Sequence, residues 1–106
     1  MKITLKEVVD INKRLGGSLI SDSSLSFAES VCRNSRSTYR CATAWIRAIL
    51  IDHPFSDANK RTTVYVIAKL VGIKNKKKIN NFIIKVIVRN ITSLKKIEEM
   101  LKNANR

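Results

Sequence analysis

Residues 41–71 read CATAWIRAILIDHPFSDANKRTTVYVIAKLV, and this stretch decides the fold. Both ends are apolar around most of a helix, whereas the middle, HPFSDANKRT at residues 53–62, is the most polar and specialised segment. Helices that are apolar all round belong in the interior of a bundle. Pro54 disfavours helical geometry at His53 and ends the first helix, and Asp57 is a good N-cap for the next. The stretch therefore predicts two central helices joined by a polar loop.

Apolar spacing and capping signals predict further helices around this central pair. The predicted helices cover residues 4–15, 24–33, from a cap at 35 or 37 to 52, 57–71, about 79–87, and a last one capped by residue 92 or 93. The β-branched run at residues 83–88 also fits a strand. Only three glycines and one proline occur, which favours helices over a turn-rich fold. We expect one compact all-α domain of about six helices over residues 1–106, with a possible short hairpin after the first helix.

The charge of the chain points to an anionic partner. Twenty-one Lys and Arg face eight Asp and Glu, a formal net charge of +13. A nucleotide, a nucleic acid, an acidic protein and an anionic membrane all satisfy such a charge, and a solvated lysine-rich surface is the plain alternative. The apolar runs are too short to span a bilayer, and no segment reads as a signal peptide, so we expect no membrane association through a span.

The redox state of the two cysteines indicates in which cellular compartment the protein is found. Cys32 and Cys41, with a single histidine in the chain, cannot complete a usual zinc site. Both fall in predicted helices, where we expect reduced, partly buried thiols. Reduced thiols are typical of the cytoplasm, which is the predicted location.

The start of the fourth helix has the makings of a phosphate site. The first N–H groups of a helix lack partners within it, and the helix dipole adds positive charge there. Ala58 is small enough for an anion to approach the backbone. Lys60 and Arg61 add two full charges, and arginine binds phosphate oxygens bidentately.

The neighbouring side chains suit chemistry on such a phosphate. Asp57 is acidic among phosphate ligands, the usual arrangement for holding Mg²⁺. Asn59 can bind a phosphate through its amide, and His53 suits removal of a proton from a hydroxyl near neutral pH. Phe55 should point inward and anchor the loop. Each residue also has a plainer explanation: Asp57 as a simple N-cap, or as an i, i+4 salt bridge with Arg61.

These residues resemble the signature of the Fic/Doc family, whose pattern reads H-P-F-x-[D/E]-G-N-[G/K]-R. This chain has His-Pro-Phe-Ser-Asp-Ala-Asn-Lys-Arg at residues 53–61, with the alanine and lysine found in death-on-curing (Doc) toxins. LKEVVDINKRLGG at residues 5–17, followed by SDSSLSFAES at 21–30, is similar to the first helix, flap region and second helix of Doc. The C-terminal part has no clear counterpart.

The resemblance implies an all-helical fold and an ATP-dependent transferase with Mg²⁺ as cofactor. By it, His53 is the catalytic base, Asp57 binds Mg²⁺, and Ala58, Asn59, Lys60 and Arg61 hold the nucleotide phosphates. Doc proteins move the γ-phosphate of ATP to a threonine of elongation factor Tu and arrest translation. Most Fic proteins instead transfer AMP to a protein hydroxyl, which is the alternative. Lys60 favours the kinase reaction because its side chain would crowd the α-phosphate subsite that AMP transfer needs.

Two partners follow from the same resemblance. The flap should lie near residues 18–24, with Leu19, Ile20 and Ser21 aligning a segment of the target protein by strand addition. The inhibitory pattern [S/T]-x-x-x-E-[G/N] of many Fic proteins is absent from the sequence. Inhibition would then come from a second chain, an acidic Phd-like antitoxin whose disordered tail folds on the basic toxin.

A small basic helical DNA-binding protein is the rival class. Residues 67–83 read IAKLVGIKNKKKINNFI, with a small residue and a glycine four apart, as in a helix-turn-helix. The apolar positions expected after that turn are displaced by one, and the basic charge is interpreted as spread through the chain. The polar loop at residues 53–61 would also remain unexplained, so nucleic acid is disfavoured as a partner.

Overall fold

The computed structural model describes residues 3–105, and this part of the chain folds into six helices without a strand. The helices are α1 (Leu5–Arg14), α2 (Ser23–Arg33), α3 (Thr38–Asp52), α4 (Asn59–Val71), α5 (Lys76–Val88) and α6 (Leu94–Ala104). The predicted all-α class is confirmed. No helix in residues 3–105 has the length and apolar character needed to cross a membrane.

Four helices begin at side-chain caps, each accepting a hydrogen bond from a backbone N–H in the first turn. The capping residues are Thr4, Ser37, Asn75 and Ser93. The alternatives at residues 35 or 37 and 92 or 93 are thus decided in favour of the second residue in each pair. Because a cap satisfies a donor that the helix cannot, it fixes where the helix starts.

The run at residues 83–88 is helical. α5 is continuous through it, and Ile79, Phe82, Ile83 and Val86 are all buried. Their spacing puts the four side chains on one side of a helix, against α4 and α6. A strand would direct Ile83 and Val86 to opposite faces, so tertiary packing overrides the β preference of these residues.

The core is centred on α3. This helix packs against α2, α4 and α6, and Trp45, Ile46 and Ile49 are fully buried in it. α1 packs on α4, while α5 packs on both α4 and α6. The C-terminus of α3 and the N-terminus of α4 are therefore held at one end of the bundle by the same core, which is the predicted arrangement of two central helices.

The cysteines differ from the expectation of reduced thiols. Cys32, near the end of α2, and Cys41, in the first turns of α3, form a disulfide, and both are buried. The short polar connection between the helices brings the end of α2 next to the start of α3, which makes the pairing possible. The sequence spacing of nine residues did not reveal this. The argument from reduced thiols to the cytoplasm is withdrawn with it.

Removing the disulfide should lower the stability of the domain substantially. Closing a nine-residue loop restricts the unfolded chain by about 2–3 kcal/mol. For a domain of this size that corresponds to roughly 10–20 °C in melting temperature. Thermal unfolding with and without reductant measures it. The double variant Cys32→Ala/Cys41→Ala is the control, since its melting temperature should be low and insensitive to reductant. Equal melting temperatures for the oxidised and reduced protein would contradict the prediction.

Candidate active site

The loop between α3 and α4 is shaped by two left-handed residues. His53 has φ 48° and ψ 62°, and Ala58 has φ 61° and ψ 24°. The first ends α3, since a left-handed residue cannot continue a right-handed helix and Pro54 disfavours the α-helical region at this position. The second is the N-cap of α4, which starts at Asn59. The prediction that Asp57 caps this helix is wrong, because the reversal at Ala58 separates the Asp57 side chain from the cap position.

Phe55 anchors the loop as predicted. Its side chain is only 2% exposed and belongs to the main core. Its backbone forms an antiparallel bridge with Leu19 in the α1–α2 connection. The Ile20 N–H donates to the Pro54 carbonyl at 2.8 Å, and the Ser56 N–H donates to the Ser18 carbonyl at 2.8 Å.

The predicted flap segment thus pairs with the motif loop. Residues 18–21 form no hairpin of their own in the structure. The Ser21 N–H also donates to the Pro54 carbonyl, at 3.3 Å, and the side chains of Leu19 and Ile20 are exposed. The segment is an extended strip beside the loop. Because its side chains do not line the cavity at the α4 tip, the flap residues lie next to that site and outside it.

Asn12 of α1 braces the loop from below, and the sequence reading did not identify it. Its side chain is fully buried, and its Nδ2 donates to the Asp57 carbonyl at 2.9 Å and to Thr62 Oγ1 at 3.1 Å. The available signal was an asparagine one turn after buried Val8, on the apolar side of α1. Gly17 is required beside it, since a Cβ there would overlap the Asn12 side chain and lie 2.5 Å from the Asp57 carbonyl oxygen.

Asn59 and Thr62 complete the internal bracing. Asn59 Nδ2 donates to the Phe55 carbonyl at 3.0 Å, while its Oδ1 is buried and has no hydrogen-bond partner among residues 3–105. The Thr62 hydroxyl donates to the Ala58 carbonyl at 2.7 Å. The amide N–H groups of Asn59 therefore hold the loop. Its assignment as a phosphate ligand remains a prediction.

The tip of α4 is open to an anion. Among residues 3–105, no acceptor contacts the backbone N–H groups of Asn59, Lys60 and Arg61. The Ala58 N–H is the exception at this tip, since it donates to Asp57 Oδ1 at 2.7 Å. Three adjacent unpaired donors at the positive end of a helix form a surface suited to phosphate oxygens.

A cavity of about 390 Å³ lies beside this tip. It is lined by Leu50, His53, Ser56, Asp57, Ala58, Asn59, Lys60, Arg61 and Ile87. The structure thus brings together the predicted base, acid, small residue, amide and two cations around one opening. The volume lies in the range typical of small-molecule sites.

The charges around the cavity are available to a ligand. Lys60 and Arg61 are exposed, and neither has a carboxylate within ion-pair distance in the part of the chain that the structure describes. The alternative of an Asp57–Arg61 salt bridge is therefore wrong. The N-cap alternative for Asp57 fails as well, and the local contact of the acid is its Oδ1, which accepts the Ala58 N–H. Two unpaired cations beside three free N–H groups favour a polyanionic ligand.

The cavity offers one carboxylate for Mg²⁺, so further ligands would have to come from the phosphates of a nucleotide and from water. No group of three His, Cys, Asp or Glu side chains that could hold a metal occurs in residues 3–105. Asp57 keeps Oδ2 free while Oδ1 binds the Ala58 N–H. Mg²⁺ is commonly held by one or two carboxylates together with substrate phosphates and water. Asp57 fits that use, in which the metal arrives with a nucleotide.

Asn12 should contribute measurably to stability through the loop. Replacing it by leucine keeps most of the side-chain volume but leaves the Asp57 carbonyl without its donor. The cost of an unsatisfied buried group predicts a loss of about 1–3 kcal/mol in the free energy of unfolding, measured by urea denaturation. Asn80→Leu, on the exposed side of α5, makes the same chemical change and should cost less than about 0.5 kcal/mol. Equal losses in the two variants would argue against the brace.

Comparisons with protein-family models, with curated proteins and with solved structures find no match to this chain. The resemblance to Fic/Doc proteins therefore rests on the residues of the motif at positions 53–61 alone.

Proposed function

We propose that this protein is a Doc-like toxin that transfers the γ-phosphate of ATP to a threonine hydroxyl of a target protein. The observation that carries the proposal is the cavity at the α4 tip, where His53, Asp57, Lys60 and Arg61 surround three unpaired backbone N–H groups. Donors and cations favour a polyphosphate, and a histidine at the same opening favours proton removal from a hydroxyl.

The reaction assigns one role to each group. The target hydroxyl gives its proton to the His53 imidazole as its oxygen forms a bond to the γ-phosphorus. The bond from that phosphorus to the β,γ-bridging oxygen breaks, and ADP leaves with the electron pair. The α4 N–H groups, Lys60 and Arg61 stabilise the charge on the phosphate oxygens throughout. Asp57 is the residue that would hold Mg²⁺, which would neutralise part of the phosphate charge when bound.

Positioning is what the fold contributes to this reaction. The loop is fixed from three sides: Phe55 in the core, the 18–21 strip along its backbone, and Asn12 beneath Asp57. Phosphoryl transfer depends mainly on placing reactants and stabilising charge, so a braced loop on two central helices suits it. The exposed strip beside the loop is the proposed docking edge for the target.

The partners proposed for this activity are elongation factor Tu as the target and an acidic Phd-like antitoxin as the inhibitor. Modification of elongation factor Tu would arrest translation. A toxin with this target would act in the cytoplasm. The net charge of +13 supports association with an acidic inhibitor.

ATP labelled separately on its α- and γ-phosphates tests the proposal. We expect label from the γ position, and none from the α position, on elongation factor Tu incubated with the protein and Mg²⁺. Lys60 at the cavity supports this outcome because its side chain occupies space near the helix tip. Label from the α position only would establish AMP transfer and overturn the kinase assignment. Absence of both labels from elongation factor Tu and from the proteins of a cell extract would overturn the transferase proposal.

A further inference from the structure

A second cluster of positively charged residues lies in the C-terminal part of the chain, outside the motif at residues 53–61. Residues 74–102 contain nine of the 21 Lys and Arg but only two of the eight Asp and Glu. These two acids are Glu98 and Glu99, and Glu98 pairs with Arg40 and Lys102. Basic residues occur throughout the chain, as expected, but they are enriched in this part of it. Most of the excess is carried by α5, α6 and the turns beside them.

The two helices form a groove with cationic rims. It encloses about 450 Å³ and is lined by Lys78 and Lys85 of α5, by Arg89 directly after that helix, and by Lys96 of α6. Asn81 and Asn103 add amide donors, and no carboxylate lines the groove. Within residues 3–105, no ion pair involves Lys85, Arg89 or Lys96. The groove thus offers uncompensated positive charge and many hydrogen-bond donors.

The spacing of the cations suits an extended ligand. Lys78, Lys85 and Arg89 are seven and then four residues apart, so they follow one side of α5 over roughly 16 Å. Lys76 and Lys77 begin the same helix and Lys74 precedes it, and all three residues are exposed. Such a stripe is longer than one phosphate group and matches several phosphates of a backbone that lies along it.

The walls of the groove discriminate between anionic polymers. An acidic helix would need apolar pockets for its anchoring side chains. Of the three apolar residues that line the groove, Phe82 is only 4% exposed, and Met100 and Ala104 are half-buried. The exposed apolar residues of α5, Ile84 and Val88, do not line the groove. Single-stranded nucleic acid binds through exposed aromatic side chains, and none lines the groove. Contacts to the backbone of a duplex need charges and donors, and six of the nine lining residues are Lys, Arg or Asn.

We propose that the α5–α6 groove binds double-stranded nucleic acid through its phosphates, without sequence preference. This function is separate from the transferase site, because none of the groove residues lines the cavity at the α4 tip. Binding of this kind releases counterions, so affinity should fall steeply with salt. DNA and RNA duplexes share the phosphate chemistry, and their relative affinities show which of the two the groove prefers.

Fluorescence anisotropy with a labelled 16-base-pair duplex, as DNA and as RNA, tests the groove. The decisive variant is Lys85→Glu/Arg89→Glu/Lys96→Glu. Its matched control is Lys6→Glu/Lys13→Glu/Arg36→Glu, which makes the same change in net charge at exposed positions on other elements. We expect the wild type to bind in the micromolar range near 0.15 M salt. Loss of three phosphate contacts predicts about a hundredfold weaker binding for the groove variant and a salt slope smaller by about 2.7.

The control and a neutral variant keep the result interpretable. The control triple should lose less than about tenfold in affinity, since only long-range charge has changed. Lys85→Gln/Arg89→Gln/Lys96→Gln replaces the glutamate variant if circular dichroism shows that the latter is unfolded. Equal losses in the groove and control variants, or no duplex binding by the wild type, would overturn the proposal. So would displacement of the duplex by poly-glutamate at a lower charge concentration than unlabelled duplex requires. His53→Asn should bind duplex as the wild type does, which separates this test from that of the transferase.

Discussion

Replacement of His53 by asparagine is expected to lower γ-phosphate transfer to the target about a thousandfold while leaving ATP binding unchanged. Loss of a general base typically costs a factor of 10²–10⁴, and asparagine cannot take the proton of a hydroxyl. Asparagine is chosen because His53 has φ 48°, a left-handed conformation that asparagine tolerates better than alanine does. The loop should therefore keep its shape.

Three measurements make the His53 result specific. Transfer rates come from γ-labelled ATP, nucleotide affinity from calorimetry, and folding from the thermal transition. Asp52→Asn is the control, because Asp52 is the preceding residue, pairs with Arg47 and does not line the cavity. That variant should transfer phosphate at close to the wild-type rate. A His53→Asn protein that retains more than a tenth of wild-type activity would show that another group removes the proton.

Replacement of Asp57 by asparagine should abolish the dependence of ATP binding on Mg²⁺. An asparagine Oδ1 can still accept the hydrogen bond from the Ala58 N–H, so the change removes the charge and keeps the local contact. Loss of the protein ligand for the metal should lower γ-phosphate transfer by about a hundredfold or more. The melting temperature should stay within a few degrees of the wild type.

Calorimetry of ATP binding with Mg²⁺ and with EDTA checks this second result. The wild type should bind ATP more tightly with the metal, and Asp57→Asn should bind equally in both conditions. Asp52→Asn serves again as the control, because Asp52 is a carboxylate at the end of α3 that does not line the cavity. ATP binding by this variant should still depend on Mg²⁺. If Asp57→Asn also keeps it, Asp57 is not the ligand, and the assignment of the acid must be abandoned.

Most helices of this protein could be predicted from local sequence features. Apolar spacing and caps such as Thr4 depend on residues within one or two turns of each other, so they appear directly in the sequence. The loop was also conspicuous, because His53, Asp57, Lys60 and Arg61 fall within nine residues and differ in character from the helices on either side. These residues line one cavity because they are close in sequence around the start of α4, and residues around the start of a helix are also close in space.

The start of α4 shows where local reasoning fails. Asp57 is a favourable cap by residue type, yet Ala58 occupies the cap in a left-handed conformation that alanine alone does not favour. The conformation is held by contacts from elsewhere, namely the Asn12 amide at the Asp57 carbonyl and the buried Phe55 ring. Asn12 and Asp57, which this contact joins, are 45 residues apart in the sequence. No window of sequence around the loop contains that information.

By itself, the sequence determined six amphipathic or apolar helices, the Thr4 cap of α1 and a polar segment of distinctive composition. Only the tertiary structure decided that Asn12 lies under the loop, that Cys32 and Cys41 are joined, and that the cations of α5 and α6 face one groove. The physical reason is range: helix formation and capping are settled between near neighbours, whereas burial, pairing and the summing of charge depend on which elements pack together.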